Sequence, residues 1–219
     1  MIDVARLPVY SLSEAARIVD VPRGKAQRWV RGYTRQTPDG PRLSQPIITA
    51  DARDAVSFLD LVELRFVAAF VREGVSVQTI RKALAEAKEL ELDHPFARQK
   101  FYTDGTTIFI ASLDRIVQSG TGGQYAMLID QVFKRFDFAD GQVSVFYPAE
   151  ASRAVRISPA HSFGAPTVVG TSIRTSVLYD AFRAEGSRDV VAELYGIPIE
   201  KVAAAIDFES SLCGNRAAA

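Results

Sequence analysis

The chain has 219 residues, of which 47% are hydrophobic and 24% charged, values of a globular protein that exclude a fully disordered chain. The length suits two small domains, or one domain with appendages. Lys plus Arg and Asp plus Glu each total 26, which excludes a uniformly basic nucleic-acid coat but leaves room for a local basic patch.

The first readable element begins at Tyr10. Ser11-Leu-Ser-Glu14 fits a capping box, and Leu12, Ala15, Ala16 and Val19 follow at helical spacing. Asp20-Val21-Pro22 breaks that helix and starts a second one, from about Arg23 to Val30, which buries Ala26, Trp29 and Val30 and stops at Gly32. Two short helices joined by a tight turn make a helix-turn-helix pattern. Residues 33–50 read as a loop or short hairpin, with Pro46-Ile47-Ile48-Thr49 as a short strand. A helix apolar nearly all round opens at Ser57 and ends at Gly74, so burial on two sides is expected. Ser76 caps the next helix, about Val77 to Glu91.

The period then changes. Residues 100–110 read as a β-hairpin around Asp104-Gly105, residues 119–123 as a loop, Tyr125 to Phe136 as a helix and Val143 to Tyr147 as a strand. Pro148 marks a boundary. Beyond it, Ala154 to Ile157 and Gly164 to Arg174 are extended, the latter split by Gly170. Three helices follow at about Thr175–Glu185, Ser187–Tyr195 and Pro198–Phe208, separated by Gly186 and Gly196-Ile197-Pro198.

Between residues 17 and 35 there are six basic side chains, Arg17, Arg23, Lys25, Arg28, Arg31 and Arg35, against one acid, Asp20. Most crowd the second helix, together with Gln27. In a helix-turn-helix that helix enters the major groove, where arginine suits guanine edges and phosphates, and glutamine suits adenine. Charge alone fits an ordinary solvated face, but charge placed on this turn geometry points to DNA. Residues 188–209 have the opposite sign, with five acids, Asp189, Glu193, Glu200, Asp207 and Glu209, against Arg188 and Lys201. An acidic helix pair does not read phosphates. Its apolar positions suit a small core and an interface with a basic protein.

Catalysis has little support. Ser119-Gly-Thr-Gly-Gly lacks the strand and the Lys-Ser/Thr of a phosphate loop, and no nucleophile elbow accompanies His161. His94, before Pro95, reads as a turn or packing residue, and Trp29 as core. One cysteine, Cys213, and two histidines exclude a disulfide framework and a Cys-cluster zinc site, so neither a metal nor a cofactor is expected. No apolar run reaches membrane-spanning length, and Met1-Ile-Asp-Val-Ala-Arg6 lacks a signal-peptide layout, so a cytoplasmic protein is expected.

Two stretches carry resemblances. Tyr10 to Val30, with Trp29, and the later Arg72-Glu-Gly-Val-Ser-Val-Gln-Thr-Ile-Arg81 resemble a MerR-like winged helix-turn-helix. The Arg-x-Tyr usual before the third helix is replaced here by Ala52-Arg53-Asp54, and no long dimerisation helix follows. Gly164-Ala-Pro-Thr-Val-Val-Gly-Thr-Ser-Ile173 and Gly186-Ser-Arg-Asp-Val-Val-Ala-Glu-Leu-Tyr195 resemble the family known as domain of unknown function 433, with Ser172 where that family usually has Arg. Together they resemble the long VapB-type antitoxins. The resemblance implies an α+β chain, mainly helical with small β segments, in three parts. These are a winged helix-turn-helix domain at 1–93, a connecting segment at 94–149 and a homeodomain-like three-helix antitoxin domain at 150–219. It implies a homodimer that binds operator DNA and blocks a PIN-like ribonuclease toxin. Arg174 and Arg216 are the candidates for reaching the toxin's acidic metal site. A stand-alone MerR-like regulator, sensing a small molecule in the middle β segment, is the alternative. A metal-independent enzyme using the central segment has no catalytic constellation behind it.

Overall fold

A computed structural model of the chain describes residues 3–48, 50, 52, 55–86, 93–98, 122–149 and 153–214. Its architecture is α+β, with helices dominant and four two-stranded antiparallel sheets among the described residues.

β1 (Tyr10–Ser11) leads into α1 (Leu12–Ile18), and Ser11 Oγ accepts the Glu14 N–H at the helix start. α2 (Arg23–Arg31) follows a turn in which Asp20 adopts φ 57°. β2 (Tyr33–Thr37) and β3 (Gly40–Ser44) then form a hairpin around Pro38-Asp39. Of the strand expected at Pro46–Thr49, residues 46–48 are not extended into a strand, and Thr49 lies outside the described residues. Residues 46–48 bend back to α2, where the Ile47 and Ile48 N–H groups both donate to the Trp29 carbonyl, at 2.8 and 3.2 Å. β4 (Ala55–Val56) pairs with β1.

α3 (Phe58–Arg72) is the axis of the larger core. Every residue from Phe58 to Phe70 is buried, as its all-round apolar pattern requires. Its start is a complete capping box. Ser57 Oγ accepts from Asp60 N–H at 3.1 Å, and Asp60 Oδ2 accepts from Ser57 N–H at 2.9 Å. One turn on, Glu63 Oε1 accepts the Phe96 N–H at 2.8 Å. Burial pushes the Glu63 carboxyl up to about 8, a rise that the Phe96 and Ala97 amides oppose and that Asp60 reinforces. His94, at φ 50°, is buried beside Asp60, so it packs as expected.

α4 (Val77–Glu86) begins with Ser76 Oγ accepting from Thr79 N–H. Its expected extension to Glu91 and the expected hairpin at 100–110 lie outside the described residues, as do residues 119–121 of the expected loop. Gly122 and Gly123 open α5 (Gly122–Phe133). The helix expected to reach Phe136 stops at Phe133, and β5 (Phe136–Ala139) follows, paired with β6 (Gln142–Phe146). Phe136 turns inward from the strand onto Phe146, ring centroids 5.1 Å apart. Phe133 meets Phe66 of α3 edge-on at 5.0 Å. This aromatic cluster ties the middle segment to the same core as α1–α4.

β7 (Val155–Arg156) pairs with β8 (Thr167–Val168). α6 (Thr175–Glu185), α7 (Arg188–Tyr195) and α8 (Ile199–Gly214) enclose a second, smaller core of Val168, Leu178, Val191, Val202, Ala205 and Ile206. Glycines in the left-handed region, Gly186 at φ 71° and Gly196 at φ 62°, end α6 and α7. The last helix runs past Phe208 to Gly214, so Cys213 is an exposed residue of a helix and not of a tail.

Candidate nucleic-acid interface

α2 buries Ala26, Trp29 and Val30 against the larger core. That leaves Arg23, Lys25, Gln27, Arg28 and Arg31 exposed on its other sides, with Arg28, Arg31 and Gly24 pointing most directly away from the core. A Cβ on Gly24 would meet nothing within 4 Å among the described residues. No side chain caps the start of the helix, where Pro22 stands at the N-cap. A helix start without a side-chain cap is an arrangement suited to a phosphate.

The hairpin is fixed to this helix at its base. Gly32 adopts φ 70° and ψ −174°, and a Cβ there would lie 2.4 Å from the Ser44 carbonyl oxygen. Only glycine fits that junction. Arg81 of α4 donates to the Gln45 carbonyl at 2.6 Å and pins the other end. The Arg28 guanidinium lies over the Tyr33 ring, 5.5 Å from its centroid.

The hairpin itself has almost no buried face. Tyr33 to Gln36 and Pro41 to Leu43 are exposed, Leu43 at 65%. Its register places Arg35 directly opposite Arg42. Arg42 pairs with Asp39, at 3.4 Å, and both side chains are in solvent. Between the hairpin and α4 lies a cleft of about 390 Å³ lined by Arg35, Arg42, Arg81 and Lys82. The structure thus brings Arg28 and Arg35 together with three cations that charge counting along the sequence missed. Arg42 could have been found from the turn at Pro38-Asp39, which folds Arg35 onto it. Arg81 and Lys82 could not, because α4 reaches this face only through tertiary packing.

Arg17 stands apart from this group. It is half-buried on α1 and lines a different cleft, against α8. Arg174 is exposed at the N-cap of α6, one turn before Val177, which is 41% exposed. Arg216 lies outside the described residues.

Residues 8–84 match the family model described as "Putative DNA-binding HTH domain", and residues 155–208 match "Protein of unknown function (DUF433)". Over 92% of this chain and 93% of the relative, the sequence is 28% identical to "Putative antitoxin VapB45" of Mycobacterium tuberculosis. It is 24% identical to the uncharacterized protein Rv2308 of the same organism, over 91% of this chain and 89% of that one. A crystal structure of Rv2018 from Mycobacterium tuberculosis shares the fold, with a TM-score of 0.73 at 24% identity, covering 91% of this chain and 98% of that one. No described helix is long and apolar enough to cross a membrane. The chain is thus similar at residues 8–84 to a DNA-binding helix-turn-helix family, at residues 155–208 to DUF433, and along most of its length to a putative VapB antitoxin.

Proposed function

We propose that this chain is the antitoxin of a type II toxin–antitoxin pair. It binds and blocks a PIN-like ribonuclease and regulates its own operon by binding operator DNA. It acts in the cytoplasm as a homodimer and catalyses nothing itself. Residues 1–93 form the DNA-binding domain, residues 94–149 connect, and residues 150–219 form a homeodomain-like antitoxin domain. In this reading α2 enters the major groove and β2–β3 is the wing of a winged helix-turn-helix.

The observation that carries the DNA part is the pairing of Arg35 with Arg42 on an exposed hairpin beside the arginines of α2. Like charges directly opposite one another destabilise a strand pair, and a polyanion lying across them reverses that effect. The antitoxin part is supported by similarity along nearly the whole chain to a protein of that description. Arg174, with apolar Val177 beside it, offers a cation and an anchor to the acidic metal site of such a nuclease.

Two experiments test the two halves. Arg28→Ala with Arg31→Ala is expected to weaken binding to the upstream DNA. It should also reduce the slope of log K against log salt by about 1.8 per protomer, from about 0.9 for each lost phosphate contact. An unchanged slope removes α2 from the interface. Co-expression with the product of the adjacent gene is expected to give a stable complex and restored growth. Loss of that rescue in Arg174→Ala with Arg216→Ala would place the toxin contact, whereas full rescue would move it elsewhere.

A further inference from the structure

A second cleft shares no lining residue with the one beside the hairpin. It measures about 960 Å³ and runs between the first helix of the larger core and the last helix of the smaller one. That volume is within the range of small-molecule sites. One wall is α1 and its turn, with Arg17, Ile18 and Val19, and the other is α8, with Ala203, Ala204 and Phe208. α8 turns Val202, Ala205 and Ile206 into its own core. Ala204, Phe208 and Leu212 follow one another at helical spacing on the side that faces the cleft, and Leu212 packs against the larger core. The small side chains Ala203 and Ala204 leave the space open.

The polar lining is unequal. Arg17, Arg65, Arg72 and Arg135 face Asp20, Glu200 and Asp207. Two of the acids are already engaged. Asp20 pairs with Arg72 at 2.8 Å, and Asp207 pairs with Arg188 at 2.6 Å. Glu200 is exposed at the rim. Glu209 accepts from the Thr175 hydroxyl, and the Arg17 charge acts on its carboxyl. Arg17 Nε, in contrast, is buried and has no hydrogen-bond acceptor among the described residues. A buried Nε without an acceptor is costly, and an anion in the cleft would offset that cost through charge-assisted hydrogen bonds to the rest of the Arg17 guanidinium, which lines it.

We propose that this cleft binds a small amphiphilic anion. Its carboxylate or phosphate head is held by Arg17, and its apolar body lies along Ala204, Phe208 and Ile18. The ligand bridges the helix-turn-helix to the DUF433 domain, so its occupancy sets how firmly the two are joined. The site stands on its own geometry, whether or not the chain blocks a nuclease.

Titration of the full chain with 1-anilinonaphthalene-8-sulfonate, followed by fluorescence and calorimetry, tests it. One saturable site per chain is expected, displaced by decanoate or decyl phosphate and not by decanol. Arg17→Met should weaken it at least about tenfold, the worth of one charge-assisted hydrogen bond. Ala204→Trp should fill the cleft and abolish it, with the circular-dichroism melt of each variant confirming a folded chain. If Ala204→Trp does not fold, Ala203→Leu takes its place. Decanoate and decyl phosphate displacing unequally would tell the head group. Absent binding, binding unchanged in both variants, or displacement by decanol as strong as by decanoate would each overturn the proposal.

Discussion

The contact that joins the two cores can be broken and partly restored at two residues. The Tyr10 hydroxyl donates to the Gly164 carbonyl at 2.8 Å in a buried setting. Burial, reinforced by the charge of Glu14, raises the tyrosine pKa, so the hydroxyl keeps its proton and remains a donor. Gly164 has φ 82°, and a Cβ there would lie 2.4 Å from Tyr10 Oη and 3.1 Å from Cζ. Gly164→Ala therefore adds a left-handed alanine, about 1–2 kcal/mol, and displaces a buried hydroxyl from its acceptor, about 1–3 kcal/mol. A total of about 2–5 kcal/mol is expected. Tyr10→Phe alone removes the hydrogen bond and should cost about 1 kcal/mol. The double variant loses the clashing oxygen as well, so it should fall short of the sum by about 1–2 kcal/mol. Urea unfolding read by the fluorescence of Trp29, the sole tryptophan, gives all four stabilities. A neutral Gly164→Ala, or strict additivity, would refute the close approach of these two residues. It would also detach the turn at Gly164 from β1.

Three further outcomes follow from other parts of the molecule. Arg35→Ala should act with opposite signs, raising the melting temperature slightly by relieving Arg42 while weakening DNA binding, and a loss of both would mean that the hairpin needs Arg35 to fold. Glu63 titrates at about 8 when folded against an ordinary 4.5. Within that window the folded state holds a proton that the unfolded chain has released, so stability should fall as pH rises from 4.5 to 8, by up to about 1.4 kcal/mol per unit. Glu63→Gln should flatten that fall in pH-dependent urea melts, and an unaltered slope would assign it to another group. Ser57→Ala removes the oxygen that caps α3 and should lower the denaturant midpoint by the equivalent of about 1–2 kcal/mol, whereas a change below about 0.5 kcal/mol would show that Asp60 alone holds the helix start.

What could be read in advance divides along a physical line. The three C-terminal helices were legible because their stops are local: Ser187 caps α7 by accepting from Val190 N–H, and Gly186 and Gly196 end α6 and α7 in the left-handed region. The same holds for α1, α2 and the opening of α3, where capping residues and a turn do the punctuating. β5 was missed because Phe133, Phe136 and Phe138 continue an aromatic run from a helix into a strand. Their common burial around Phe66 and Phe146 hides the change of period. The hairpin at 33–44 was only half-legible, since a strand pair exposed on nearly every position has no apolar alternation to read.

The candidate interface shows the same division at the level of single charges. Arg28 and Arg31 were visible because the helical period that buries Ala26, Trp29 and Val30 forces them outward. Arg17 counted in the same basic run, yet proximity along a chain fixes no face. α1 is a different helix, and its burial of Ala15, Ala16 and Ile18 turns Arg17 toward α8. Arg81 entered only with the fold, because α4 approaches Gln45 through the packing of α3 and not through any local signal. A basic run in a neutral chain is therefore divided by the fold: the arginines of α2 stand on an exposed face, while Arg17 on α1 lines the cleft against α8.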